Sequence, residues 1–171
     1  MTGRSADAGR PFSLPARPRY DGCMAGTYRS FGSSADVARG VSRLMLDLGY
    51  APLCEFVLAS GRRLDVAAVG ADGGLVGIEI KVSVEDLRGD RKWPEYLDYC
   101  DQYYFAVPDG FPESHLPAEH GLIIADRFGG AILRPSQVLK IPAARRRATL
   151  IRFARCAAER FARQGLMPQE A

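Results

Sequence analysis

Apolar residues Val37, Val41, Leu44, Met45 and Leu48 fall at helical spacing behind Ser33 and Ser34, either of which can cap, and Gly49 follows as a stop. A first helix over residues 34–48 is predicted, packing on a sheet. Beyond it the period shortens. Residues 53–59 read as a strand, turned by Ser60-Gly61 into a second apolar run, 64–69. Gly70-Ala71-Asp72-Gly73-Gly74 then leads into a third run, 75–82, which is hairpin chemistry because glycine and aspartate tolerate the positive φ of a tight reversal. Ser83 stands as an N-cap before Val84-Glu85-Asp86-Leu87, with both acids in the first turn. A second helix is predicted from about Pro94, a residue tolerated at the first helical position, and residues 103–107 form the next strand. A helix between the third and fourth strands implies a crossover between parallel neighbours. Residues 108–121 are a loop long enough to act as a lid or rim, and 121–125 with 131–133 close a last hairpin through Asp-Arg-Phe-Gly-Gly. A long helix over 142–163 places Leu150, Ala154, Ala157 and Phe161 on one stripe and arginines on the remainder.

Acids interrupt this pattern where apolar residues are expected. Asp65 follows Leu64 in the second strand, and Glu79 sits between Ile78 and Ile80 in the third. Leu75, Val76, Ile78, Ile80 and Val82 make that third strand apolar on both faces, the mark of a strand covered on both sides. A buried ionised carboxylate costs several kcal/mol unless something pairs with it. Lys81, two residues after Glu79, leaves the same face, and Asp65 on the partner strand can reach it. Two carboxylates and an ammonium at one point compose a hard-cation site for Mg²⁺ or Mn²⁺, to which the Ile80 carbonyl can add an oxygen. The competing reading is a solvated Glu-x-Lys ion pair, worth little. Burial of the strand weighs against it. Glu55, between Cys54 and Phe56, stands between two readings: a third carboxylate of the same site, or the partner of an arginine.

Composition narrows the class without changing the elements. The 171 residues fit one domain over 22–164, between a basic N-terminal tail at 1–21 that is expected to be disordered and a flexible end at 165–171. With 47% apolar and 25% charged residues the chain reads as an ordinary globular protein. No apolar run is long enough to span a bilayer and the N-terminus lacks a secretory centre, so a cytoplasmic location is expected. Cys23, Cys54, Cys100 and Cys156 stand singly, against a zinc site and for a reduced compartment. His115 and His120 fall in a proline-rich loop and read as solvated.

Charge is segregated. Residues 140–171 carry eight basic residues against Glu159 and Glu170, and residues 1–20 carry Arg4, Arg10, Arg17 and Arg19 against Asp7, which leaves the middle acidic. An acidic body with basic ends suits a polyanionic substrate. The arginine face of the last helix, with Arg145, Arg146, Arg147 and Arg152 foremost, is read as an accessory DNA-binding surface. Arg91, Lys92, Trp93, Tyr96 and Tyr99 interleave cations with aromatics. Trp93 is expected in the core, whereas Arg91 and Lys92, on the segment leaving Lys81, are read as DNA contacts.

Helix, strand, strand with Asp65, strand with Glu79-Ile80-Lys81, helix, strand resembles the core of the PD-(D/E)XK nuclease superfamily, with Leu64 at the nominal proline. More specifically, Gly-Arg-Arg-Leu-Asp-Val and the run from Ile78 through Trp93 to Pro108 look like the MmcB family of bacterial DNA repair proteins, over residues 33–163. The resemblance implies an α/β restriction-endonuclease-like core, α-β-β-β-α-β, whose mixed sheet is flanked by helices and followed by a long basic C-terminal helix. It implies Asp65 and Glu79 as Mg²⁺ or Mn²⁺ ligands, Lys81 as the catalytic lysine, Glu55 as an auxiliary acid, and metal-dependent hydrolysis of DNA phosphodiesters. The partners expected are DNA and, beyond it, a second copy of the chain or other repair proteins; no membrane is. A nuclease-fold protein that binds damaged or branched DNA without cutting it is the alternative. No Gly-x-Gly-x-x-Gly or P-loop supports a small-molecule enzyme.

Overall fold

A computed structural model describes residues 32–90 and 92–165. Helix α1 (Ser34–Asp47) starts at Ser33, whose hydroxyl accepts the Asp36 amide at 3.1 Å, and buries Val37, Gly40, Val41, Leu44 and Met45. Six strands follow, β1 (Ala51–Val57), β2 (Arg63–Val69), β3 (Leu75–Ile80), β4 (Gln102–Val107), β5 (Gly121–Ala125) and β6 (Gly130–Arg134), and they form one sheet in sequence order. β2 runs antiparallel to both β1 and β3, β4 and β5 run parallel to β3, and β6 returns antiparallel to β5. The β2–β3 turn closes as expected: Gly73 sits at φ +80°, and the Asp72 carboxylate accepts the Gly74 amide at 2.9 Å.

Every residue of β3 is buried, since a strand in mid-sheet is covered on both faces. One face packs on α1 through Val66, Ala68, Val76, Ile78, Ile80, Tyr104 and Ile123. The other carries Phe56, Leu64, Ala67, Tyr103, Phe105 and Leu122, covered by the β3–β4 connection and by helix α3 (Ala143–Arg163). That connection is α2 (Val84–Gly89), capped by Ser83, and then a 3₁₀ helix over Trp93–Tyr99 rather than an α-helix from Pro94. Its backbone tightens under packed rings: Trp93 lies 5.7 Å from Phe105 and 6.2 Å from Tyr103, which places it with the core as its size suggests.

Two expectations change. His120 is buried, 4.6 Å from the Trp93 ring, so it is a core histidine and not a solvated loop residue; burial holds its pKa below the usual imidazole value. The buried stripe of α3 is also rotated from the one predicted. Thr149 and Phe153 face the sheet, Phe153 meeting Phe56 at 5.5 Å, while Ala154 and Phe161 are exposed. The reason is that arginines occupy the inward side too. The unpaired edge of β1 offers carbonyls, and Arg152 donates to Val57 O at 2.7 Å while Arg160 donates to Cys54 O and Glu55 O. A guanidinium satisfies edge acceptors that an apolar side chain would leave stranded.

Candidate active site

The site forms where β2 leaves β3. The ladder pairs Val69 with Leu75 through Val66 with Ile78 and then stops. Cys54 and Val66 pack towards α1, yet Phe56 and Leu64, two residues along in each strand, pack on the opposite face. Residues two apart in a regular strand share a face, so both strands turn over at Glu55 and Asp65. Glu55 takes up the distortion at φ +50°, unlike every other non-glycine residue among those described. Asp65 thereby swings its carboxylate to the edge of β3, where Oδ2 accepts the Ile80 amide at 2.8 Å in place of a strand carbonyl.

Glu79 and Lys81 lie beside it, 7% and 3% exposed. Lys81 Nζ is 3.2 Å from Glu79 Oε1 and 2.7 Å from Asp90 Oδ2, with Asp86 at 3.8 Å. The solvated ion pair is excluded by this burial. Desolvation and then the Asp65 charge push the Glu79 carboxyl up to about 8, against the pull of Lys81. Desolvation also raises Asp65, although the Ile80 amide and Lys81 oppose it. Burial works against the Lys81 charge, but Asp90, Glu79 and Asp86 outweigh it and hold the ammonium above its ordinary value. Tyr96 and Tyr103 feel the charge of the cluster: burial first and Glu79 next raise both phenols, and the Tyr103 hydroxyl has no partner among the described residues.

A divalent cation fits this donor set. Glu79 Oε2 is buried and accepts no hydrogen bond from the described residues, and the neighbouring Asp90 carboxylate can bond Glu79 only through a proton that Glu79 itself carries. In an extended strand the N–H and C=O of one residue face the same neighbour, so the Ile80 carbonyl is directed to the Asp65 side along with its amide. Among the described residues no three His, Cys, Asp or Glu side chains form a ready cage. Two carboxylates and a carbonyl instead suit a hard ion that keeps several waters.

Asp90 is the residue the sequence did not reveal. It binds Lys81 through one oxygen and accepts the Lys92 amide through the other at 2.8 Å. The signal was present in Asp86 and Asp90, four apart on the segment that starts just after Lys81. Of the two readings of Glu55, the structure shows the arginine pair: its exposed carboxylate lies 3.5 Å from Arg63. Lys92 is exposed beside the cluster, and Arg91 lies outside the described residues.

The α3 arginines are mostly engaged inside the molecule. Arg145 contacts Asp98 at 3.3 Å and lies over the Tyr99 ring. Arg146 grips both oxygens of Asp101 at 2.5 Å, and Asp101 also accepts the Leu75 amide at the start of β3. Arg146 is therefore a strut. Arg146→Gln is expected to lower stability by about 2–3 kcal/mol in urea unfolding, because a half-buried carboxylate loses a charged bidentate partner. Arg147, exposed and without a partner among the described residues, should tolerate the same change within about 0.5 kcal/mol. A groove between α3 and the β1–β2 turn, lined by Leu58, Tyr99, Thr149 and Arg152, lies apart from the carboxylates.

With this geometry in view, comparison with known proteins is specific. Residues 25–167 match the model of a family described as DNA repair protein MmcB-like. The chain belongs to that family. A solved structure of a protein of unknown function from Silicibacter pomeroyi is 39% identical, superposes with a TM-score of 0.74, and is matched over 80% of this chain and 94% of that one. No curated protein matches. The fold is the expected restriction-endonuclease-like α/β architecture with its C-terminal helix. No helix among the described residues is long and apolar enough to cross a membrane.

Proposed function

We propose that this MmcB-like chain is a divalent-metal-dependent deoxyribonuclease of the PD-(D/E)XK type, acting on DNA during repair. The observation that carries the reading is Asp65, Glu79 and Lys81 gathered at the break in the β2–β3 ladder, with one Glu79 oxygen buried and accepting no hydrogen bond from the described residues. A site for binding alone has no need to hold two carboxylates against a phosphate. The family's repair designation supports DNA as the substrate.

Asp65, Glu79 and the Ile80 carbonyl would hold Mg²⁺ or Mn²⁺. Bound there, the ion supplies a Lewis acid and lowers the pKa of its water enough to generate a nucleophile at neutral pH. Lys81 remains protonated and offers its ammonium to a phosphate oxygen as negative charge develops. Asp90 fixes where that ammonium points. Lys92 beside the cluster, with Arg147 and with Arg155 and Arg163, whose ion pairs among the described residues are with Glu159, would meet the DNA backbone.

The test is incubation of purified protein with single-stranded, nicked, flapped and junction DNA plus Mg²⁺ or Mn²⁺. Cleavage of at least one form is expected in the wild type, with a drop of 100-fold or more in Asp65→Asn, on the order of what removing one charge-stabilising group costs. Mn²⁺ should raise the melting temperature of the wild type and leave Asp65→Asn unmoved. No product on any DNA would favour the silent binder, a reading supported by the close Asp90 contact that occupies Lys81.

A further inference from the structure

The β5–β6 turn carries an aromatic ring in open solvent on a backbone that the fold holds still. Phe128 is 68% exposed. Its amide and that of Gly129 both donate to Asp126 Oδ1, at 2.7 and 3.1 Å, and Asp126 N donates to Gly129 O at 3.0 Å. From α1, Arg43 donates to the Phe128 carbonyl at 3.3 Å. The turn rests directly on Gly40, where a Cβ would come within 1.9 Å of Asp126 O and 2.4 Å of Gly129 O, so only glycine lets α1 sit beneath it. The Arg127 guanidinium lies 4.8 Å from the Phe128 centroid. A single surface phenylalanine is unremarkable by itself, but this one is fixed at its backbone and flanked by two cations.

Topology sets where it stands. β3, β4 and β5 are parallel, so their C-terminal ends share one edge. The register pairs Ile80 with Ala106 and Val107 with Ile124, which puts Lys81 and Ile124 about level. The turn therefore projects beyond the edge that carries the acidic cluster, two strands or about 10 Å across, on the α1 side of the sheet, whereas Glu79 and Lys81 leave the opposite face, so DNA that meets both wraps this edge.

We propose that Phe128 is a stacking platform for an unpaired DNA base, with Arg127 and Arg43 meeting the adjacent phosphates, so that the substrate has a single-stranded stretch at this edge. This deepens the reading of the chain as a DNA-acting protein and rests on it. A base inside a duplex has both faces covered by its neighbours and offers nothing to the ring; an unpaired base does.

Fluorescence anisotropy of the full chain in EDTA, with labelled poly-dT and a duplex of equal length, separates the outcomes. Phe128→Ala is expected to weaken poly-dT binding by about 5- to 150-fold, the worth of one stacked base, and duplex binding by less than about twofold. Phe128→Trp should retain poly-dT binding. Arg127→Gln should weaken both forms and flatten their salt dependence. Because the ring is exposed, an unchanged melting temperature in Phe128→Ala excludes misfolding as the cause. Equal loss on both DNA forms, no loss on either, or a wild type that binds neither overturns the proposal, the last pointing to a protein partner for the tip. Should the wild type cut no DNA while its poly-dT binding still depends on Phe128, the nuclease reading falls and the stacking platform stands.

Discussion

Between pH 6.5 and 8, metal-free protein is expected to lose about 2 kcal/mol of stability, a fall of roughly 4–8 °C in melting temperature. The source is Glu79. Its folded pKa, about 8, lies above its ordinary 4.5, so through this range the folded state holds a proton that the unfolded state has released. A state that binds the extra proton is weakened as pH rises. Asp65, also raised, acts in the same direction. The other shifted groups around the cluster work elsewhere: Asp90 is lowered and acts below its ordinary 3.8, Lys81 is raised and acts above 10.5, and His120, lowered, weakens the fold only as pH drops below its ordinary 6.5. Saturating Mn²⁺ should remove the slope, since the ion takes the carboxylates in ionised form and leaves neither the folded nor the unfolded state with the extra proton, so the Mn²⁺-induced stabilisation grows as pH rises. Differential scanning calorimetry across this range, with and without Mn²⁺, checks both the slope and its loss. Glu79→Gln should flatten the metal-free slope; a slope that survives in Glu79→Gln would place its origin elsewhere.

The sheet was legible because each strand obeys a simple rule of burial. The two-sided apolar run of β3, the Gly-Asp turn before it and the helical spacing behind Ser33 each state a local preference that the fold keeps. Asp65, Glu79 and Lys81 were legible for the converse reason, as charges placed where the pattern wanted apolar groups. What sequence did not show is the turning-over at Glu55 and Asp65, because it depends on which face each flanking residue packs against and not on any residue's own preference. α3 misled for a related reason. Arginine was counted as surface, but Arg146, Arg152 and Arg160 turn to a half-buried aspartate and to edge carbonyls, and Phe161 is left outside. A helix that caps a sheet edge mixes cations into its inner face, and a hydrophobic stripe then gives the wrong rotation. Asp90 escaped notice because its meaning lies in returning to Lys81 across a short helix, a tertiary fact.

Arg160→Gln is expected to weaken Mn²⁺ binding by tenfold or more, although Arg160 belongs to α3 and touches no carboxylate of the site. Its guanidinium holds the carbonyls of Cys54 and Glu55, the two residues at which β1 turns over opposite Asp65. A non-glycine residue at positive φ costs about 1–3 kcal/mol and persists only where its surroundings enforce it. Without Arg160, β1 can relax towards regular extended geometry, its partner β2 follows, and the Asp65 carboxylate draws back from the Ile80 amide. The Glu55 carboxylate itself contributes little, since its contact with Arg63 is between exposed groups. Glu55→Gly therefore separates geometry from charge. Glycine adopts φ +50° without penalty, so Glu55→Gly should leave Mn²⁺ binding near wild type and, in the Arg160→Gln background, should restore most of what was lost. A merely structural role for Arg160 would lower the melting temperature in Arg160→Gln, leave the Mn²⁺-induced increment intact, and show no rescue by glycine. Titration of Mn²⁺ against the four proteins of this cycle, read as the shift in melting temperature, decides between them. An unchanged Mn²⁺ increment in Arg160→Gln would show that the β1–β2 pairing alone turns the strands over and aims Asp65.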